Sequence, residues 1–176
     1  MLLLIIKGYP GTGKSTLSYK FAKEHDSALL QQDKFVFGQN PYTMIKRRAR
    51  PIDHEVANKN ILSCIKNYMK IKKSIVIEGG LNRCGDDESI DLNKFIKLAK
   101  KYKYKIVLIT LVADDKIRKL RQRKRGYVLK THIDRQLVVA TNESLQSNLT
   151  NHIIDNSKLN IRDTLSAIEA IVNSKS

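Results

Sequence analysis

The sequence predicts an α/β fold in which a parallel sheet carries helices on both faces. Short apolar runs alternate along the chain with stretches of helical periodicity. The runs are continuously apolar, as strands covered on both faces are, rather than alternating between apolar and polar. The first run also passes directly into a glycine-rich turn that opens a helix.

Each element follows from its residues. Leu2–Lys7 is a buried strand, and Ser15–Glu24 is the helix after the turn. Ala28–Gln31 is a shorter strand. Val56, Ile61, Ile65 and Met69 recur at roughly helical spacing, which predicts a helix over 54–70 that ends before a strand at Ser74–Glu78. Leu92, Phe95, Ile96 and Ala99 mark an amphipathic helix leading into Tyr104–Val112, the strongest strand signal in the chain. Helical stretches around 114–125 and 132–145 follow. His152–Ile154 reads as a fifth strand, and Ile161, Leu165, Ile168 and Val172 mark a closing helix.

Composition narrows the class. Among 176 residues, 33 Lys plus Arg face 17 Asp plus Glu, a formal net charge of +16. With 41% hydrophobic and 28% charged residues the chain is an ordinary globular one, not a disordered polycation. No linker, low-complexity tract or repeat divides it, so 1–176 reads as one domain. The opening apolar run, Leu2–Ile6, is far shorter than the ~20 residues of a membrane span. It also lacks the basic flank and cleavage site of a signal peptide, so a cytoplasmic protein with no membrane partner is expected. Cys64 and Cys84 have neither disulfide-framework nor zinc-site spacing, and Cys64, among Ile61, Leu62 and Ile65, reads as core. The charge points to an anionic partner, although a plain lysine bias would give the same total.

The turn supplies the chemistry. Gly8-Tyr9-Pro10-Gly11-Thr12-Gly13-Lys14-Ser15-Thr16 matches G-x-x-x-x-G-K-[ST], the Walker A phosphate loop, and lies between a strand and a helix as that motif requires. Its glycines let successive N–H groups turn inward onto phosphate oxygens, and the helix start adds its positive dipole end. Lys14 would reach the β- and γ-phosphates of ATP, and the Ser15 hydroxyl would ligate Mg²⁺.

Such a loop alone does not separate a kinase from an ATPase or GTPase. No N-K-x-D segment appears, and the chain is short for a full AAA motor. Asp33, just after the second strand, stands where a carboxylate could take the proton of an attacking hydroxyl; a plain turn or capping aspartate is the alternative. Glu78, ahead of Gly79 and Gly80, ends the third strand. It suits a water-mediated Mg²⁺ contact, with the glycines leaving room for substrate. Lys116, Arg118, Lys119, Arg121, Arg123, Lys124, Arg125 and Lys130 form an acid-free run. Arg121 and Arg125 share one helix face before Gly126 and could close on the phosphates, whereas a solvated face accounts plausibly for Arg118 and Lys124.

On these residues the chain resembles the compact P-loop kinases that include polynucleotide 5′-hydroxyl kinases, zeta-type toxins and small AAA-like kinases. The likeness rests on Gly8–Thr16, Asp33, the Ile77–Asn82 segment and Arg121-x-x-x-Arg125-Gly126, and extends to His132–Asp134 and Ile154–Ser157. It implies a five-stranded P-loop NTPase sheet of order 2-3-1-4-5, nucleoside-kinase-like, with a short basic lid at about 121–132. It also implies Asp33 as general base, Arg125 as the lid arginine, Arg121 against adenine or phosphates, and Asn156 and Ser157 near the adenine. A zeta-like member would carry an antitoxin partner. Lys34, Phe35 and Val36 stand where polynucleotide kinases place an arginine, and Glu78 where they commonly have Asp.

The segment 34–54 is expected to shape the acceptor side through Lys34, Arg47, Arg48 and Arg50 together with Gly79 and Gly80. Phe35, Phe37 and Tyr42, interleaved with these basic residues, could stack on bases; Phe35 and Phe37 could equally be core. Three functions remain open. The first is a kinase acting on an RNA, DNA or nucleotide hydroxyl, and the second a small-molecule kinase of nucleotide sugars or antibiotics. The third is an ATP-binding or hydrolysing regulator.

Overall fold

The computed structural model describes residues 1–37, 51–79, 92–124 and 150–174. Along the chain run β1 (Leu2–Gly8), α1 (Lys14–Glu24), β2 (Ala28–Gln31), α2 (Gln32–Phe37), α3 (Pro51–Lys70), β3 (Ile75–Gly79), α4 (Leu92–Lys101), β4 (Lys105–Val112), α5 (Asp115–Arg123), β5 (Asn151–Asp155) and α6 (Ile161–Asn173). The strands form one all-parallel sheet of order β2-β3-β1-β4-β5, the order the resemblance implies.

Because side chains alternate across a strand, β1 feeds two cores. Leu3 and Ile5 pack with Ile75, Ile77, Ile61, Ile65 and Phe95, beneath α3 and α4. Leu4 and Ile6 pack with Val107, Ile109, Leu17, Phe21 and Ile168, beneath α1 and α6. Leu3 through Ile6 are wholly buried, and full burial of each such side chain contributes about 1.5–3 kcal/mol. Cys64 is half-buried against the first core, as expected.

Three helices turn into strands by one device. Asp26, Lys72 and Lys103 adopt positive φ (44°, 57° and 58°) just past α1, α3 and α4. The next residue's amide then reaches back five residues: Ser27 to Ala22, Lys73 to Tyr68 and Tyr104 to Ala99, at 2.8, 3.0 and 2.9 Å. This is the Schellman closure, here without glycine.

The differences from expectation are local. Val56 is 49% exposed and Ile161 47% exposed; Ala57, wholly buried, takes the inward position expected of Val56. The stretch after Asp33 opens as a short helix, α2, whose Phe35 packs against the first core. The helix expected over 54–70 begins at Pro51, a residue suited to a first helical position. The helix expected over 132–145, and Tyr42 and Cys84, lie outside the described residues. Among the described residues no helix is long and apolar enough to cross a membrane.

Candidate active site

The phosphate loop joins the central strand, β1, to α1. Gly13 caps α1 in the left-handed region at φ 89°, and Gly11 holds φ 88°. A side chain at Gly13 would have room. At Gly11 it would lie 2.8 Å from the carbonyl oxygen of Arg118, because α5 sits directly on the loop. Thr12, fully buried, closes the turn: its amide and its hydroxyl both donate to the Tyr9 carbonyl, at 3.2 and 2.8 Å. The first amides of α1, from Lys14, Ser15 and Thr16, precede its hydrogen-bond ladder and crown its positive dipole end.

Glu78 gathers the polar groups around the loop. It is 2% exposed and stands in register with Ile6 and Gln31, which turns it toward the α1 face. Its carboxylate accepts from Ser15 Oγ and from Gln31 Nε2, each at 3.1 Å, and Lys14 Nζ lies 3.6 Å away. Lys14, Ser15 and Glu78, separated in sequence, are thus one cluster; Gln31 is a member the sequence reading missed. Among the described residues no group of three or more His, Cys, Asp or Glu side chains is placed to hold a metal. The Ser15 hydroxyl and Glu78 carboxylate are a hard-oxygen pair that could receive Mg²⁺, an ion that commonly keeps waters and substrate phosphates as its other ligands.

Asp33 is half-buried in the first turn of α2, at the carboxyl end of β2, with Lys34 exposed beside it. A side chain at Gly79 would press on Gln32, lying 2.8 Å from its Cβ. Lys7, at the end of β1, is 3% exposed, and burial lowers its pKa to about 7. Ser15 and Thr16 border an open depression that follows the exposed side of α1 past Tyr19, Lys20, Lys23 and Glu24. Arg125, Arg47, Arg48, Arg50 and Gly80 lie outside the described residues.

The far side of the loop corrects the reading of Arg118. It is not on a solvated face: it is 1% exposed, donates to the Pro10 carbonyl at 3.3 Å and pairs with Asp115 at 2.6 Å. Its guanidinium also lies 6.0 Å from the Tyr9 ring centroid, within cation–π range. Gln122, equally buried, donates to the same Pro10 carbonyl at 2.7 Å. Arg121 donates to Asn156 Oδ1 and to the Asn156 carbonyl, at 3.0 and 3.1 Å, and more weakly to the Gly11 carbonyl at 3.4 Å. Asn156 Nδ2 in turn donates to the Thr12 carbonyl at 2.7 Å. Ser157 ties β5 to α5, its hydroxyl donating to Asp155 and accepting the Asp114 amide.

Fold and loop together define a P-loop nucleotide-binding protein of kinase-like architecture. Residues 3–146 match the AAA domain family, and the chain belongs to it. No curated protein matches the chain in sequence. Solved structures share the fold at low identity. A gluconokinase from Sinorhizobium meliloti 1021 is 14% identical with a TM-score of 0.59, covering 97% of this chain and 90% of that one. Shikimate kinase from Bacteroides thetaiotaomicron is 15% identical with a TM-score of 0.58, covering 98% and 99%. The YorR protein of Bacillus subtilis, solved in complex with phosphorylated GDP, is 17% identical with a TM-score of 0.60, covering 97% and 95%.

Proposed function

We propose that the protein is an ATP-dependent phosphotransferase that moves the γ-phosphate to a hydroxyl of a nucleic-acid or nucleotide acceptor. The observation that carries this reading is the joining of Lys14, Ser15 and Glu78 beside the phosphate loop, with Asp33 on the same carboxyl edge of the sheet. The loop amides and Lys14 hold the phosphates. Asp33 takes the acceptor hydroxyl's proton as the new O–P bond forms and the bond from the γ-phosphorus to the bridging oxygen breaks, releasing ADP. Ser15 and Glu78 are the residues for Mg²⁺, which when bound neutralises phosphate charge. Arg121 is assigned to the nucleotide side with Asn156 and Ser157. By resemblance Arg125 is the lid arginine, and Arg47, Arg48 and Arg50 belong to the acceptor side.

Asp33→Asn is expected to keep ATP binding and abolish transfer; full residual transfer would remove Asp33 as the base. Labelled ATP offered with 5′-hydroxyl RNA and DNA, mononucleotides and nucleotide sugars identifies the acceptor. Hydrolysis without any labelled product would overturn the kinase reading. The gluconokinase and shikimate kinase neighbours favour a second reading, a small-molecule kinase. The two separate by salt: acceptor binding through phosphate contacts weakens steeply with ionic strength, while that of a small neutral acceptor barely changes.

A further inference from the structure

We propose that Arg118 and Gln122 are positioning residues that set the phosphate loop in its anion-binding conformation, acting through the Pro10 carbonyl. The proposal rests on the nucleotide reading of that loop but not on any choice of acceptor. The two residues are four apart on α5, so their side chains rise from one face and converge on a single carbonyl. A carbonyl oxygen has two lone pairs, and here each has a donor.

The consequence lies on the other side of the peptide. In a planar trans peptide the C=O of one residue and the N–H of the next point in opposite directions. Holding the Pro10 carbonyl against α5 therefore directs the Gly11 amide away from α5. Asn156 does the same two residues on: by donating to the Thr12 carbonyl it directs the Gly13 amide. Gly11, at φ 88°, is free to let the Pro10–Gly11 peptide rotate, so this peptide needs an external hold.

The choice of residues on α5 supports the assignment. Its apolar Leu120 is 51% exposed, while Arg118 and Gln122 are each 1% exposed. A helix that served only to cover the loop would bury the leucine and expose the arginine. Replacing a buried ion pair by apolar residues of similar volume is often neutral or stabilising, so packing alone does not call for Arg118 here.

The test uses the full chain and the variants Gln122→Met, which keeps side-chain length, and Arg118→Met, which is shorter and also removes the pair with Asp115; neither methionine donates a hydrogen bond. Calorimetry measures affinity for ADP, inorganic triphosphate and adenosine, and thermal denaturation measures the fold. For each variant we expect ADP and triphosphate affinity to fall about tenfold, the worth of one net hydrogen bond at the upper end. Adenosine affinity should stay within about twofold, because the loop amides meet phosphate and not base. Unchanged ADP and triphosphate affinity in both variants would overturn the proposal. So would an equal loss for adenosine, since that would mark a general structural defect. Should Gln122→Met fail to fold, Arg118→Met is read by the same two criteria, and failure of both to fold would assign the pair to stability instead. If the unaltered protein binds neither ADP nor triphosphate, it is the nucleotide reading that fails.

Discussion

Replacing Gly11 and Gly13 separately by alanine would measure how tightly α5 presses on the phosphate loop. Both glycines sit in the left-handed region, at φ 88° and 89°, so an L-residue at either costs about 1–2 kcal/mol of backbone strain. Their surroundings differ. A Cβ at Gly13 would find its nearest atoms at 3.7 Å (Asn156 Nδ2) and 3.8 Å (Leu17 Cδ1), ordinary contact distances. At Gly11 the same atom would lie 2.8 Å from the Arg118 carbonyl oxygen and 3.1 Å from its Cα, and backbone cannot swing aside as a side chain can. Overpacking of this kind adds about 1–3 kcal/mol. Gly13→Ala should therefore cost about 1–2 kcal/mol and Gly11→Ala about 2–5 kcal/mol. For a domain of this size each kcal/mol lowers Tm by about 2–4 °C, so thermal or urea denaturation without nucleotide resolves the difference. A Gly13→Ala variant as destabilised as Gly11→Ala would refute the reasoning, because strain alone would then account for both.

Two further outcomes test other parts of the structure. Lys7, with its pKa lowered to about 7 from 10.5, sheds its proton in the folded chain while the unfolded chain keeps it, so between those values stability rises with pH. Going from pH 7 to pH 9 should add about 2 kcal/mol from this group. Lys7→Met should lose that increment; equal pH slopes in urea unfolding for the two proteins would refute it. At the start of α6, Asn160 Oδ1 accepts the Asp163 amide at 2.9 Å, so Asn160→Ala should cost about 1 kcal/mol, seen as a Tm lower by about 2–4 °C. An unchanged Tm would show that the cap contributes nothing.

The sheet was legible because its signal is redundant: three clear apolar runs at β1, β3 and β4, two shorter ones at β2 and β5, and a glycine motif between the first run and its helix. Bringing Ser15 and Glu78 together was legible because both suit Mg²⁺, Ser15 in the first turn of α1 and Glu78 at the end of β3, the strand that the resemblance sets beside β1. The back of the loop was not. In the acid-free run from Lys116, charge is uniform, so nothing in the letters distinguishes buried Arg118 from exposed Lys119. Hydrophobic periodicity misleads there, because Leu120 faces out. The helix ends at Asp26, Lys72 and Lys103 were hidden for another reason: left-handed closures are usually announced by glycine, and these have none. Val56 was misread because the buried position one residue on belongs to the small Ala57, which carries little weight in an apolar count.

The placement of β1 has a consequence for motion and heat. That strand is hydrogen-bonded on both sides, to β3 and β4, and its side chains are buried in both cores, so its amides can exchange with solvent only when the whole domain opens. The phosphate loop hangs from this doubly paired strand at one end and from a helix anchored by Leu17 and Phe21 at the other. An anion that grips the loop is therefore coupled to global unfolding rather than to a local flap. By mass action its binding raises the melting temperature of the entire domain, which makes a simple thermal shift a faithful report of what the loop holds.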